Sequence, residues 1–269
     1  MTRLGDWVSL SGKVALITGA GQGVGRAAAL TFAADEARAI VLNDIVQERA
    51  QHLSDEISRR FPKVQTLAVQ ADVTSWDSVQ KMADEAVRSF GQVDILVNNA
   101  GNAGITTSEA MRDQKNFIET DPPEWEQWIR VNFYGPLYTC RALVPQMVQH
   151  RYGRVINIIS DAGRVGEPKL AVYAAAKAGS AGFIRALAKE VGKHHVTANC
   201  VALGTIRTPA VAELTENPEI VQKMTARYPL RRLGEPQDVA NLVTFLASEA
   251  SNWITGQTYP VNGGYSFSL

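Results

Sequence analysis

The sequence predicts an α/β fold in which a doubly wound parallel sheet carries helices on both faces. Three observations predict it. Short apolar runs alternate with helix-length segments, a glycine-rich turn follows the first run, and polar residues stand where several runs end. Strands that alternate with helices form parallel sheets, and ligands bind at the carboxyl ends of such strands. The chain of 269 residues falls within the range of one α/β domain, so a single domain over residues 1–269 is predicted.

Seven strands are predicted, over about residues 13–18, 39–42, 64–69, 94–97, 154–159, 196–201 and 257–261. Helices are expected over about residues 24–37, 46–61, 75–90, 123–150, 171–191 and 236–247. Residues 102–121 are polar and are predicted to be irregular, and a loop is expected after Ser160. Residues 205–233 include a polar, helix-prone segment beside the expected site, so we predict that they form a substrate lid.

Composition narrows the class of partner. Lys plus Arg and Asp plus Glu are equal at 27 each, so there is no bulk electrostatic argument for nucleic acid or an anionic membrane. Met1–Trp7 lacks the apolar core of a signal peptide, and no apolar run approaches the roughly 18 residues of a membrane span. A cytoplasmic protein is therefore expected. Cys140 and Cys200 stand in apolar settings typical of buried free thiols, and no metal ligand is predicted.

The glycine-rich turn contains Gly19, Gly23 and Gly25, between a predicted strand (13–18) and a predicted helix (24–37). Glycines let the backbone turn tightly and approach a pyrophosphate, and the first turn of the helix offers free N–H groups. Glycine turns also join strands to helices where no ligand binds. Because the strand and the helix flank this turn in the correct order, the pattern favours dinucleotide binding.

Asp44 follows the second strand, 19 residues past Gly25. An acidic residue at this distance is expected to bind the adenosine ribose hydroxyls of NAD. Its charge would repel a 2′-phosphate, and position 22 in the turn is Gln rather than a basic residue, so NAD is favoured over NADP. Alternatively, Asp44 caps the helix expected over 46–61. The two roles are compatible.

Tyr173 and Lys177 are four residues apart, so in a helix they share one face. An ammonium beside a phenol favours phenolate and lowers the tyrosine pKa from its usual value of about 10. A tyrosine tuned in this way can exchange a proton with an alcohol or carbonyl oxygen. Ser160 ends the fifth strand and could hydrogen-bond the same oxygen. The alternative without a catalytic role is a surface Tyr and Lys on an amphipathic helix. Asn132 lies in an apolar stripe mid-helix, where an amide needs partners.

Together these motifs resemble those of the classical short-chain dehydrogenases/reductases over about residues 9–264. The residues that carry the resemblance are Thr18-Gly19-x-x-x-Gly23-x-Gly25, Asp72, Asn98-Asn99-Ala100-Gly101, Asn132, Ser160, Tyr173-x-x-x-Lys177, and Gly204 followed by Thr208. The resemblance implies a Rossmann-like, seven-stranded parallel sheet in the order 3-2-1-4-5-6-7. It also implies an NAD-dependent oxidoreductase that interconverts a secondary alcohol and a ketone, assembled as a homotetramer through the helices at 123–150 and 171–191.

The resemblance further implies a role for each motif residue. Tyr173 would be the general acid/base, Lys177 would lower its pKa and hold the nicotinamide ribose, Ser160 would orient the substrate oxygen, and Asn132 would hold a water in a proton relay. Asp72 would contact the adenine, and Thr208 the carboxamide or a phosphate. The expected cofactor contacts are Gly19, Gln22, Gly23, Val24, Gly25, Asp44, Ile45, Asp72, Val73, Asn99, Ala100, Gly101, Tyr173, Lys177, Gly204, Ile206 and Thr208.

Several positions depart from the family pattern. Leu203 stands in the place of the usual proline, and Ile159 in the place of a serine that many members have. The gap from Gly101 to Asn132 is longer than usual, which adds residues to the expected substrate loop. Asp161 follows Ser160 and could contact substrate, although a loop hydrogen bond is the favoured alternative.

Two further functions stay open at this stage. A 3-hydroxyacyl-CoA or 3-oxoacyl thioester is the alternative substrate, because Arg112, Lys115 and Arg207 could meet phosphates near the pocket mouth, although such charges are more often a solvated surface. A catalytically silent NAD(H)-binding sensor or structural subunit is the other alternative. That class would be expected to lack part of the set of four groups, which this chain retains.

Overall fold

The structure is a computed structural model that describes residues 8–104 and 107–267 and, of Met111 and Arg112, the backbone alone. The predicted absence of a signal peptide concerns Met1–Trp7, which lie outside the described residues. Among the helices of the described part of the chain, none has the length and apolar character needed to cross a membrane.

The seven strands form one parallel sheet in the order β3-β2-β1-β4-β5-β6-β7, which confirms the predicted topology. Every residue of β1, β2 and β4 is buried, as expected for parallel strands with both faces covered. The strands are β1 (Val14–Ile17), β2 (Ala39–Asp44), β3 (Gln65–Gln70), β4 (Ile95–Asn98), β5 (Gly153–Ser160), β6 (Val196–Leu203) and β7 (Thr258–Val261).

The helices are α1 (Gly23–Ala34), α2 (Gln47–Arg60), α3 (Trp76–Phe90), α4 (Ser108–Arg112), α5 (Pro122–Ile129), α6 (Gly135–His150), α7 (Ala162–Val165), α8 (Ala171–Val191), α9 (Ala212–Glu216), α10 (Pro218–Thr225) and α11 (Pro236–Ala247). Apolar side chains form one cluster on each face of the sheet. One includes Phe32 of α1 and Val243 of α11, and the other includes Leu143 of α6 and Ile184 of α8. The two clusters are the two sides of a doubly wound core.

The helix predicted over 123–150 is confirmed with one change, because α5 and α6 are joined through a π-helical turn at Arg130–Tyr134. The cause lies in Pro136, near the start of α6. Proline has no N–H to give to the carbonyl four residues earlier, which belongs to Asn132, and its ring would clash with that carbonyl. A wider turn removes the clash, and it places Asn132, which is 0% exposed, inside the molecule.

Two segments predicted to be irregular contain short helices. Within residues 102–121, the side chain of Thr107 accepts a hydrogen bond from the Ala110 N–H (3.0 Å) and so caps α4, and a 3₁₀ turn covers Phe117–Glu119. The loop after Ser160 contains α7. The expected lid contains α9 and α10, and its movement stays a prediction.

Candidate active site

The turn between β1 and α1 has a backbone that side chains would obstruct. Gly19 and Gly23 have φ angles of +61° and +55°, in the left-handed region that favours glycine. A Cβ on Gly25 would lie 2.4 Å from the carbonyl oxygen of Gly19. Gln22, at the N-cap of α1, makes no side-chain cap in the described structure, so the first amides of α1 can bind an anionic group. The turn is therefore a cradle that fits a diphosphate.

Asn99 holds this turn in place from the end of β4. Its Nδ2 donates to the carbonyl oxygens of Thr18 (2.9 Å) and Gly19 (3.0 Å). In return, the hydroxyl of Thr18 accepts hydrogen bonds from the N–H groups of Asn99 and Ala100, both at 3.0 Å. The motif residues Thr18 and Asn99 thus shape the cradle, a role that the cofactor contact expected of Asn99 did not include.

Asp44 is 5% exposed, and both of its carboxylate oxygens are engaged. Oδ2 accepts from the N–H of Gly21 and Oδ1 from the N–H of Val46, each at 3.0 Å. Asp44 was expected to cap α2. It does so only indirectly, because the N–H group that it accepts from belongs to Val46, the residue just before the helix. A carboxylate has about four lone-pair sites, so acceptor capacity remains for a ribose hydroxyl. The neighbouring Ile45 side chain is 61% exposed.

The other expected cofactor residues lie around the same edge of the sheet. The Asp72 carboxylate accepts from the N–H of Thr74 (2.8 Å), and Val73 is buried against Gly135. A Cβ on Gly23 would lie 3.1 Å from the Cγ2 of Thr208, so the segment after β6 packs against the glycine turn. The remaining members of this group are Val24 and Ile206, both buried, and Gly204, whose N–H donates to Val261 O at 3.1 Å.

Ser160, Tyr173 and Lys177 are brought together by β5 and α8. The Tyr173 phenol lies close enough to the Ser160 hydroxyl for a hydrogen-bonding interaction that lowers its pKa. Lys177 is 5% exposed, its Nζ donates to the carbonyl oxygen of Ile158 (2.9 Å), and it lies 5.9 Å from the centre of the Tyr173 ring. The alternative of a surface Tyr and Lys on an amphipathic helix does not fit a buried lysine.

Asn132 reaches the same place from the π-helical turn. Its Nδ2 donates to the carbonyl oxygens of Asn102 and Trp128, both at 2.9 Å. Its Oδ1 is buried and has no hydrogen-bond partner within residues 8–104 and 107–267. A Cβ on Gly101 would lie 2.7 Å from this oxygen and 3.1 Å from the Nζ of Lys177. A buried acceptor without a protein partner indicates a bound water or a ligand group.

The electrostatic expectation for Tyr173 is wrong in one respect. Burial raises the pKa of the Tyr173 phenol, and the hydrogen bond with Ser160 only opposes this rise. Burial also lowers the pKa of Lys177 to about 8. The charge of Lys177 is directed at the Ile158 carbonyl, so the two groups are tuned mainly by desolvation. The phenol therefore holds its proton at neutral pH and can donate it.

The charged residues near the expected pocket mouth are already paired. Lys115 forms an ion pair with Glu124 (2.8 Å) and Arg207 with Glu235 (3.1 Å). The side chain of Arg112 lies outside the described residues. Asp161, for its part, bonds within its own loop and to the C-terminal residues, which confirms the hydrogen-bonding alternative for this side chain.

Sequence reasoning missed Tyr228, which lies at the end of the expected lid and is 6% exposed. Its hydroxyl accepts from the N–H of Thr205 (2.9 Å) and donates to the Thr205 hydroxyl (3.0 Å), and its ring lies against Gly204. It also missed Glu213, whose carboxylate accepts from the Ser108 N–H (2.8 Å) and joins the lid to the opposite loop. No local pattern marks either residue, because both contacts join distant segments.

Comparison with known proteins agrees with this geometry. A family model described as enoyl-(acyl carrier protein) reductase matches residues 19–266. The (2S)-[(R)-hydroxy(phenyl)methyl]succinyl-CoA dehydrogenase subunit BbsD of Thauera aromatica is 39% identical over 261 residues, which cover 96% of this chain and 98% of that protein. The 3-oxoacyl-[acyl-carrier-protein] reductase FabG of Staphylococcus epidermidis is 37% identical over 252 residues, covering 94% and 98% of the two chains.

Among solved structures, a 7α-hydroxysteroid dehydrogenase complexed with NADH and 7-oxo glycochenodeoxycholic acid superposes with a TM-score of 0.89. It is 35% identical, and the match covers 98% of each chain. The family match, the near full-length relatives and the shared fold lead to one conclusion: the chain belongs to the classical short-chain dehydrogenase/reductase family and is an oxidoreductase that acts on an alcohol or carbonyl group.

Proposed function

We propose that the protein is an NAD-dependent oxidoreductase that interconverts a secondary alcohol and a ketone, with Tyr173 as general acid/base. The observation that carries this proposal is the convergence of four side chains on one place: Ser160 beside Tyr173, the buried Lys177, and Asn132, whose Oδ1 has no hydrogen-bond partner among the described residues. The adjacent glycine cradle fits the cofactor diphosphate. When bound, the nicotinamide supplies or accepts the hydride.

In this mechanism the protein binds and orients the reacting oxygen. Ser160 and Tyr173 hydrogen-bond the ketone oxygen, and Tyr173 donates its proton as hydride reaches the carbon. Because burial raises the pKa of Tyr173, the phenol is protonated at neutral pH and suited to reduction. In oxidation, Tyr173 takes the hydroxyl proton. Lys177 and a water at the Oδ1 of Asn132 would return protons to the phenol from solvent.

Asp44 supports NAD over NADP. Its buried carboxylate lies at the end of β2, beside the glycine turn to which it is hydrogen-bonded. A negative charge there disfavours a 2′-phosphate and can accept from a ribose hydroxyl. The steroid dehydrogenase of similar structure is complexed with NADH.

A 3-hydroxyacyl or 3-oxoacyl thioester is a second candidate substrate. It is favoured by the names of two relatives, one for a succinyl-CoA dehydrogenase subunit and the other for a 3-oxoacyl-[acyl-carrier-protein] reductase. The ion pairs of Lys115 and Arg207 do not add support, because both charges are already compensated. A panel that contains cyclic ketones, steroid ketones and 3-oxoacyl thioesters distinguishes the two candidates.

The test is turnover of NADH by the wild type and by Tyr173→Phe. General acid/base catalysis contributes about 10²–10⁴-fold, so we expect the variant to lose at least about 100-fold in kcat. NADH binding should persist in the variant, measured by fluorescence titration. Tyr134→Phe, which changes a 40% exposed phenol, is the matched control and should keep full activity. Turnover at the wild-type rate by Tyr173→Phe would contradict the role of Tyr173 as general acid/base. If the wild type binds NADH but turns over no substrate of the panel, the sensor or structural subunit is favoured instead.

A further inference from the structure

Asp161, the residue after Ser160, carries a carboxylate that is 2% exposed. Oδ1 accepts from Nη1 of Arg164 (2.7 Å). Oδ2 accepts from Nδ2 of Asn262 (2.5 Å) and from the hydroxyl of Ser266 (3.0 Å). A buried carboxylate is costly unless donors surround it. Two of its three donors belong to the end of the chain, so this carboxylate binds the C-terminal residues to the loop after β5.

Residues 262–267, here named the C-terminal clasp, are shaped to make this contact. The Oδ1 of Asn262 accepts from the N–H of Gly264 (3.0 Å), and its Nδ2 also donates to the carbonyl oxygen of Ser266 (2.9 Å). Gly263 and Gly264 both have positive φ angles, of +61° and +85°. The clasp thus curls around the amide of Asn262 and presents that amide and the Ser266 hydroxyl to Asp161.

The clasp is also attached to the end of the lid. The Tyr265 hydroxyl donates to Oε2 of Glu167 (2.6 Å), and Oε1 of Glu167 pairs with Nη1 of Arg227 (3.0 Å). The N–H of Leu230 donates to the carbonyl oxygen of Gly263 (3.2 Å). The C-terminal clasp therefore joins the loop that follows Ser160 to the last residues of the lid.

The backbone of Asp161 connects the C-terminal clasp to Ser160. The Asp161 N–H donates to the carbonyl oxygen of Leu203 (2.9 Å), and the Ser160 hydroxyl accepts from the N–H of Ala162 (3.2 Å). Asp161 is thus held by β6 through its backbone and by the clasp through its side chain. Any movement of Asp161 moves the hydroxyl of Ser160, which needs placement to within a fraction of an ångström to act on a substrate oxygen.

We propose that Asp161 is a positioning residue for Ser160, and that the C-terminal clasp which it holds forms one wall of the substrate pocket. This inference rests on the proposed function, in which Ser160 orients the substrate oxygen. The clasp should affect the substrate more than the cofactor, because the contacts of the glycine cradle come from Thr18, Asp44 and Asn99, none of which bonds to the clasp. Its contact with an expected cofactor residue is the packing of Asn262 against Gly204.

The decisive variants are Asp161→Asn and the reciprocal double variant Asp161→Asn with Asn262→Asp. In the single variant two amide groups meet, while the double variant restores one amide–carboxylate hydrogen bond with its partners exchanged. We expect the single variant to lose about 10–100-fold in kcat/KM for the ketone, the size of effect that follows a misplacement of up to about 1 Å. The double variant should recover part of this loss, and in both variants NADH affinity should change less than kcat/KM for the ketone. Asp84→Asn, at an exposed carboxylate on α3, is the control.

The pH dependence of the oxidation rate in Asp161→Asn distinguishes a displaced Ser160 from a general loss of structure. The hydrogen bond with Ser160 opposes the rise in the pKa of Tyr173, so a displaced Ser160 should move the rise of the oxidation rate to higher pH.

Hydrogen exchange gives a readout that needs no substrate. In Asp161→Asn, amides in residues 160–167 and 262–267 should exchange faster, while amides in residues 14–25 keep the wild-type rate.

Three results would overturn the inference. The first is that Asp161→Asn leaves kcat/KM, the pH profile and the exchange pattern unchanged. The second is a double variant no more active than the single one, and the third is a loss of NADH affinity as large as the loss of kcat/KM. If the wild type turns over no substrate, the proposed function fails on its own, and the exchange pattern then decides whether Asp161 and the clasp act as one unit.

Discussion

Asn132 and Lys177 meet at Gly101, although they come from different helical segments. A Cβ at Gly101 would lie 2.7 Å from Oδ1 of Asn132 and 3.1 Å from Nζ of Lys177, so only a residue without a side chain leaves both groups in place. The meeting depends on the π-helical turn at Arg130–Tyr134, which directs Asn132 inward, and on α8, which buries Lys177. This spot is where the proposed proton relay leaves the reacting groups.

Gly101→Ala should therefore impair turnover with little effect on folding. The added methyl group must displace the Asn132 amide or the Lys177 ammonium, and we expect a loss of about 10–100-fold in kcat, the scale of catalytic misplacement. Steady-state kinetics and thermal unfolding would measure the two effects. Gly192→Ala is the matched control, since a Cβ there meets nothing within 4 Å. Wild-type kcat in Gly101→Ala would contradict the relay.

The buried ammonium of Lys177 should make stability depend on pH. Burial lowers its pKa from 10.5 to about 8, so below about pH 8 the folded protein keeps an unfavourably buried charge. Lys177→Met should be inactive but, at pH 7, more stable than the wild type by of the order of 2 kcal/mol, after loss of the hydrogen bond to Ile158.

The sign of this pH dependence follows from proton binding. Between about pH 8 and pH 10.5 the unfolded chain binds a proton that the folded protein has lost, so wild-type stability rises with pH relative to the variant. The advantage of Lys177→Met should shrink across this window. Urea unfolding of both proteins at several pH values measures it, and a difference that stays constant would show that the lysine is not buried as described.

Asp44→Ala should narrow the preference for NAD over NADP, because it removes the charge that repels a 2′-phosphate. It should also weaken the binding of both cofactors, since the N–H groups of Gly21 and Val46 lose their acceptor. The ratio of kcat/KM for the two cofactors is therefore the informative quantity. An unchanged ratio, with both cofactors weakened equally, would leave Asp44 a purely structural residue.

One chain has an apolar groove that could form an interface in the expected homotetramer. A groove of about 560 Å³ between α5 with the π-helical turn and α8 is lined by residues that include Phe133, Val172, Ala175 and Gly179. An apolar groove of this kind favours coverage by a second copy of the chain. Ala175→Arg should shift the protein to smaller species in sedimentation velocity, whereas Ala34→Arg, on an exposed part of α1, should not. Unchanged sedimentation would exclude assembly through this groove.

The strand–helix alternation, the glycine turn and the positions of Ser160, Tyr173 and Lys177 could all be predicted from the amino-acid sequence. These features depend on residues that are close together along the chain: apolar runs, glycines at a turn, and a spacing of four residues in a helix. The order of the sheet came with the family resemblance, and the structure confirmed it.

The contacts that these residues make are known only from the folded protein. Asn132 and Pro136 are neighbours in sequence, yet only the packed molecule shows that the π-helical turn between α5 and α6 buries Asn132. Asp161 meets Asn262 across 101 residues, and Asn99 meets the glycine turn across 80 residues. Burial, which sets the pKa of Tyr173 and Lys177, is likewise a property of the packed molecule. Contacts and desolvation depend on which distant segments pack together, and no local pattern encodes that.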